Sequence, residues 1–361
     1  MRFFFLIFAL IMLLGQVYIS WHMWRLLPLA GACKTVIVAL MAVPWLCMLT
    51  MFLLPLDRLP FALATTLELI ATAWLIIMLY AVLVFLVLDV GRLVHLVPRN
   101  WLMANVWTSV AVIGGLAAVF AYGYVHYQHK TRVSLRVTTH KPLERRLKIV
   151  MMTDLHLGYT IRNAEFSRWI DLVNAEQPDL ILIGGDITDS SIPALQKQGT
   201  AQLFHRFTAP VYAALGNHEY FAGDSAAARF YSDAGIHLLR DEQAVVHGVR
   251  IIGRDDRSNP RRLSVNQLTG GDTTRFTILI DHQPFHLEDA EQAGVDFQLS
   301  GHTHHGQVWP LSWVTEAMYE CAFGSHRRGA TQYYVSSGIG IWGGKFRIGT
   351  RSEYAVLTLE N

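Results

Sequence analysis

Leu147-Lys-Ile-Val-Met-Met-Thr-Asp-Leu-His156 carries a short apolar strand pattern straight into a carboxylate and an imidazole. The same event recurs downstream. Leu180-Ile-Leu-Ile183 leads to Gly184-Gly-Asp186, Val211 to Leu215 leads to Gly216-Asn-His-Glu219, and further apolar runs precede His282 and Gly301-His-Thr-His304. Asp, Asn and His are the side chains that hold divalent transition metals, and one Asp carboxylate can bridge two ions. The order of residues predicts a two-metal hydrolase.

Between these pieces strands alternate with helices. Asn163 is placed to cap a helix whose Phe166, Ile170 and Val173 share one face, and Pro178-Asp179 turns the chain into the next strand. A further helix is expected from Pro193 to Phe207. In open α/β sheets ligands gather beyond the carboxyl ends of strands, so the motifs should meet at one edge. The later runs, Val249 to Ile252, Phe276 to Ile280, Phe297 to Leu299, Tyr333 to Val335 and Tyr354 to Leu359, predict a second sheet packed on the first. The expected fold of residues 147–361 is an α/β domain of two packed mixed sheets flanked by helices.

The first third of the 361-residue chain differs in kind. The mean hydropathy of +0.29 is high for a soluble protein, and the apolar surplus lies before about Tyr124. Four runs, Phe3 to Ser20, Thr35 to Leu54, Phe61 to Leu88 and Asn105 to Tyr124, are long enough for a hydrocarbon core that takes about 20 apolar residues in a helix. No small-x-small cleavage site follows the first run, which argues against a signal peptide. Residues 1–125 are therefore expected to form an α-helical transmembrane bundle, and 126–146 a basic juxtamembrane linker. Glu68, two turns into the third run, is expected to reach the interface.

Four crossings put both termini on one side of an integral, multi-pass membrane protein. That side holds Arg2, Arg58 and the run Lys130, Arg132, Arg136, Lys141, Arg145, Arg146 and Lys148, against Arg25, Lys34, Arg92 and Arg99 on the other, a balance favouring a cytoplasmic domain. The basic run reads as attraction to anionic headgroups of the bilayer. A net charge of +2 gives no electrostatic footprint for nucleic acid. Cys33, Cys47 and Cys321 imply no disulfide framework. The oligomeric state is left open.

Taken together, the motifs resemble those of the calcineurin-like metallophosphoesterase family over about Leu147 to Leu359. Met-Met-Thr-Asp-Leu-His-Leu-Gly from Met151, Gly-His-Thr-His-His-Gly-Gln from Gly301 and Ser-Ser-Gly-Ile-Gly from Ser336 are similar to its membrane-associated branch, the transmembrane proteins with a metallophosphoesterase domain. Arg347, Gly349 and Glu353 fit that branch's last strand. His305 departs from it, since Gly is commoner there. The resemblance implies Asp154, His156 and His304 on one metal ion, Asn217, His282 and His302 on the other, and Asp186 bridging them. It also implies that His218 faces the leaving group as general acid or positive charge, and that manganese is the first ion to add, with zinc or iron as alternatives.

Around these, Glu219 is expected to orient a neighbouring histidine and Asp189 to support the site or cap a helix. His305, Arg327 and Arg328 are candidates for substrate contact, the arginines for a second phosphate. The stretch Val308-Trp309-Pro310-Leu311 to Trp313-Val314 is read as core under the site, with a lip accepting acyl chains as the competing reading. The leading function is hydrolysis of a phosphodiester or pyrophosphate in a lipid-linked substrate. Among relatives the reaction resembles cleavage of UDP-2,3-diacylglucosamine in lipid A biosynthesis. The alternatives are a membrane-anchored phosphatase or phosphodiesterase for soluble nucleotides or phosphoproteins, and a receptor or transporter whose attached domain only senses. The presence of every expected metal ligand argues against the last.

Overall fold

The computed structural model describes residues Arg2 to Asn361. They divide into two compact units, one reaching Val125 and including Gly343–Phe346, the other His126–Trp342 with Arg347–Asn361.

In the first unit, α1 (Arg2–Leu26), α2 (Gly31–Leu53), α3 (Phe61–Leu93) and most of α4 (Val106–Gln128) are long and apolar enough to cross a membrane. Each runs a few residues beyond the expected stretch at one end, α1, α3 and α4 at the carboxyl end and α2 at the amino end, where helix boundaries are least sharply encoded. Ile19 and Leu26 of α1, Met78, Ala81 and Phe85 of α3 and Val112 of α4 share one apolar core. Glu68 is buried, 4% exposed. The sequence reading missed Asp89, whose carboxylate accepts from Tyr18 Oη at 2.9 Å and lies 3.0 Å from His22 Nε2, tying α3 to α1.

The second unit begins earlier than the expected linker allows. Residues 130–138 are not a tether but strand β1 (Lys130–Thr138), in which Val133, Leu135 and Val137 alternate with Arg132, Ser134 and Arg136 in the two-residue period of a strand. After it come β2 (Leu147–Met152), α5 (Asn163–Ala175), β3 (Leu180–Ile183), α6 (Ile192–Gln198), α7 (Ala201–Phe204), β4 (Val211–Ala213), α8 (Asn217–Ala222), α9 (Asp224–Asp233) and β5 (His237–Leu238). The chain continues through β6 (Glu242–Val246), β7 (Val249–Gly253), α10 (Val265–Thr269), β8 (Thr277–Ile280), α11 (Leu287–Gln292) and β9 (Phe297–Ser300). It ends with α12 (Leu311–Met318), β10 (Gly324–Arg328), β11 (Thr331–Val335) and β12 (Ser352–Glu360).

Two local expectations change. The helix expected from Pro193 to Phe207 is two helices, because Gly199 at φ +65° ends α6 in a left-handed cap. Asn163 lies inside α5 rather than capping it; its amide donates to Gln198 O and its Oδ1 accepts from Thr200 Oγ1.

The strands form two six-stranded mixed sheets, ordered β1-β12-β2-β3-β4-β5 and β10-β11-β9-β8-β7-β6. Alternation along each strand builds the layers. Leu147, Ile149 and Met151 face the second sheet and meet Ile251, Ile278, Ile280 and Leu299. Val150 and Met152 face outward onto Phe166, Trp169, Ile170 and Val173 of α5. Ile252, Leu279 and Tyr333 turn outward from the second sheet onto α10 and α11. The result is helix, sheet, sheet, helix, and each fully buried aliphatic or aromatic side chain in it contributes about 1.5–3 kcal/mol.

Candidate metal centre

The two sheets bring the carboxyl ends of β2, β3, β4, β8 and β9 together, and each is followed at once by a motif residue. Loops are locked to one another through the backbone: Asp154 N donates to Gly185 O (3.1 Å), His156 N to Asp186 O (3.0 Å) and Gly301 N to His282 O (2.9 Å). Asp154, His156, Asp186, His302 and His304 all have positive φ, from +46° to +69°. Left-handed backbone at a non-glycine residue costs about 1–3 kcal/mol and persists where surrounding structure enforces it, as at functional sites. The motif glycines make room. A Cβ on Gly216 would stand 2.2 Å from Asp186 Oδ1, and one on Gly301 2.4 Å from Asp154 Oδ2.

All seven expected ligands converge. Asp154, His156 and His304 form one cluster, with His304 Nε2 3.5 Å from Asp154 Oδ1 and 3.0 Å from His156 Nε2. Asp186, His282 and His302 form a second, and His302 Nδ1 lies 2.7 Å from Asn217 Oδ1; His156, Asp189 and His218 form a third grouping close enough to share an ion. Asp186 stands between the first two: its Oδ2 is 3.7 Å from His156 Nε2 and 3.1 Å from His282 Nε2.

This donor set fits two divalent ions. His282 Nδ1 donates to Gly184 O at 2.7 Å, which leaves Nε2 as a fully buried lone pair without a hydrogen-bond partner, facing a carboxylate oxygen. A cation between acceptors resolves that arrangement. The electrostatics agree. Burial opposes charge on His282, but Asp186 and Asp154 lift its proton affinity well above the ordinary range, so positive charge is favoured where Nε2 points. Burial and the charge of His282 hold His302 down at about 4, and burial holds His304 well below its usual value, keeping both imidazoles neutral for ligation.

His218 is fixed by Asp189. Its Nδ1 donates to the Asp189 carbonyl and lies 3.4 Å from that residue's carboxylate. Burial pulls its pKa down, but Asp186 and Asp189 outweigh this and raise it to about 9, so it is protonated at neutral pH. Asp189 also reaches His156 Nδ1 at 3.3 Å, and so takes the histidine-orienting part expected of Glu219. Glu219 touches no histidine in this way. Its carboxylate accepts from the backbone of Gly216 (2.7 Å), Asp186 (3.0 Å) and Thr188 (2.9 Å), clamping the β3 and β4 loops together. Burial and the Asp186 charge push its pKa up to about 7.

A cleft of about 240 Å³ opens on this cluster, lined by Asp186, Asn217, His218, His302, His304 and also Gln307 and Trp342. Gln307 is the last residue of the motif that begins at Gly301; Trp342 has no local signal, because the turn after β11 brings it in. Neither His305 nor the arginine pair lines the cleft. His305 stacks on Phe323 and pairs with Glu316 at 2.8 Å, Arg327 is exposed on β10, and Arg328 is engaged by Glu291 (3.0 Å) and Glu320 (2.7 Å). The reading of Trp309 to Val314 as core is also corrected. Val308 is buried, but Trp309, Leu311, Trp313 and Val314 are exposed.

A model of the calcineurin-like phosphoesterase family matches residues 147–306. An uncharacterized metallophosphoesterase of Campylobacter jejuni is 30% identical over 253 residues, 68% of each chain. The chain belongs to the calcineurin-like metallophosphoesterase family.

Other relatives include an uncharacterized metallophosphoesterase of Helicobacter pylori, 31% identical over 224 residues and 60% of each chain. A Danio rerio transmembrane protein with metallophosphoesterase domain is 32% identical over 234 residues, 59% of this chain and 53% of the relative. The chain thus spans little more than half the length of these two relatives. Among solved structures, an archaeal phosphodiesterase is 15% identical with a TM-score of 0.31 over 52% of this chain and 82% of that one. GAP50, the anchor in the inner membrane complex of Plasmodium, is 11% identical with a TM-score of 0.39 over 59% of this chain and 80% of that one.

Proposed function

We propose that this chain is a membrane-anchored, binuclear metal-dependent hydrolase of a phosphodiester or pyrophosphate bond in a lipid-linked substrate, with manganese as the ion to supply first. The observation that carries the hydrolase reading is the convergence of Asp154, His156 and His304 and of Asp186, His282 and His302 on the two sides of one carboxylate. Two bound ions would supply an activated water and offset charge on the phosphoryl oxygens. The rest belongs to the protein. Asn217 and His302 orient one another at the cleft wall, Asp186 sets the spacing between clusters, and Asp186 and Asp189 together favour the protonated form of His218 at the cleft. From there His218 gives its proton to the departing oxygen.

The lipid assignment is supported by the exposed side chains of Trp309, Trp313, Val314, Met318 and Trp342. They flank the loop that lines the cleft, since Gly306 packs directly against the backbone of Leu311 and Ser312. Clustered exposed apolar surface of this kind marks a binding surface for protein or lipid. The polar lining of the cleft itself favours a second reading, a small soluble phosphoester. Initial rates on a UDP-linked diacyl sugar and on bis-p-nitrophenyl phosphate, for the wild type and Trp313→Ser, separate the two. Selective loss on the lipid supports the proposal, whereas rapid turnover of soluble diesters with no response to Trp313→Ser contradicts it.

A further inference from the structure

The basic run that follows α4 is bound almost entirely within the folded unit. Arg132 pairs with Glu176 (2.7 Å), Arg136 with Glu360 (3.6 Å), Lys141 with Asp296 (2.7 Å), Arg145 with Asp179 (2.8 Å) and Arg146 with Glu360 (3.3 Å). Lys148 Nζ donates to Glu176 O at 2.7 Å. These residues do not form the loose headgroup-binding tail that their sequence suggests.

Lys130 lies two residues past the end of α4. Its Nζ donates to Tyr127 O at 2.7 Å and lies 3.5 Å from the centroid of the Tyr127 ring and 5.0 Å from that of Trp169. The ammonium is thereby fixed at the wall of a cavity of about 450 Å³, lined also by Gln128, Arg168, Trp169, Asp171, Leu172 and Ala175. Asp171 is offset by Arg206 at 2.6 Å, and Arg168 is exposed with no ion pair among the described residues. The lining combines two cations with an apolar shelf, Leu172 being 39% exposed.

Position supplies the ligand. Gln128 is the last residue of α4, a helix long and apolar enough to cross a bilayer, so the cavity opens where that helix ends, at the depth of lipid headgroups. Cations there attract anionic lipid, and apolar side chains beside them suit the upper acyl region. We propose that this cavity binds the phosphate of an anionic lipid headgroup, held by Lys130 and Arg168, with Leu172 and Ala175 against the glycerol end. The site is independent of the metal centre and of the reaction assigned to it.

Native mass spectrometry of the full-length, detergent-purified chain, titrated with dioleoylphosphatidylglycerol, dioleoylphosphatidylcholine and inorganic phosphate in turn, tests this. The wild type should retain phosphatidylglycerol over phosphatidylcholine, and Arg168→Glu should lower that retention at least about tenfold with its melting temperature unchanged. Lys130→Gln should do the same if it folds, and Arg168→Glu decides the matter if it does not. Equal retention of both lipids, or retention unaltered by Arg168→Glu, overturns the site. Saturation by inorganic phosphate as tight as by phosphatidylglycerol overturns the lipid assignment.

Discussion

The Nε2 atoms of His156 and His304 lie 3.0 Å apart, on side chains from loops that follow strands of opposite sheets. Asp154 approaches both, and Asp189 sits behind His156. Nothing local to either histidine forces that approach; it is the packing of one sheet on the other that does so.

His218 is the proton donor in this account, and the dependence on leaving group reveals it. His218→Gln should lower turnover of an alkyl phosphodiester by about 10²–10⁴. A p-nitrophenyl ester, whose leaving group needs no proton, should lose far less. With the ions held by the seven expected ligands, bound metal should be unchanged, and loss of an ion would instead place His218 among the ligands. Equal losses on both esters would remove His218 from that role.

Glu219 holds three buried N–H groups, and each donor stranded without an acceptor costs about 1–3 kcal/mol. Glu219→Ala should therefore lower the melting temperature of the second unit by about 10 °C and weaken metal binding, whereas Glu219→Gln, which keeps an acceptor oxygen, should lose less. Thermal denaturation with and without added Mn²⁺ measures both.

Arg347 is fully buried and donates to the carbonyls of His304 (2.8 Å), Ser337 (2.5 Å) and Gly340 (2.9 Å). Burial lowers its pKa to about 10, which leaves it charged at neutral pH. Arg347→Met frees the His304 backbone and should reduce metal affinity about 10–100-fold, the range for groups that orient ligands. Calorimetric titration with Mn²⁺ reads this directly.

Strand β1 lies in register with β12 from Lys130–Ser352 to Thr138–Glu360, so a soluble fragment must start before Lys130. A fragment starting at Leu147 should aggregate through the β12 edge it exposes, as size-exclusion chromatography would show. The ion pair between Arg132 and Glu176 fastens β1 to α5. Arg132, then Tyr354 and Lys148, hold the Glu176 carboxyl below its usual range. A depressed carboxylate pKa adds stability that is complete above the unfolded value and disappears as pH falls through the folded one. The melting-temperature gap between wild type and Glu176→Gln should thus be open at pH 7 and close in acid.

The candidate metal ligands were legible because they follow directly on apolar runs, a signal carried by a few adjacent residues. Glu219 was misread because its partners are backbone groups brought near by loop conformation, which side-chain types do not encode. The alternation of Val133, Leu135 and Val137 was in plain view, but the arginines between them drew the reading toward a tether. Their acidic partners, Glu176 and Glu360, lie far along the chain. With those basic residues inside the folded unit, the charge balance that favoured a cytoplasmic domain reduces to Arg2, Arg58 and Lys130 against Arg25, Lys34, Arg92 and Arg99, and no longer favours either side.

Metal content measured together with activity tests the central claim most directly. The detergent-purified protein, stripped by chelation and reloaded with Mn²⁺, should bind two equivalents by plasma mass spectrometry and regain hydrolysis of bis-p-nitrophenyl phosphate. Asp186→Ala should lose at least one equivalent and about a thousandfold in rate. Full hydrolysis in the stripped protein, or an Asp186→Ala variant that keeps both ions and its rate, would contradict the binuclear account.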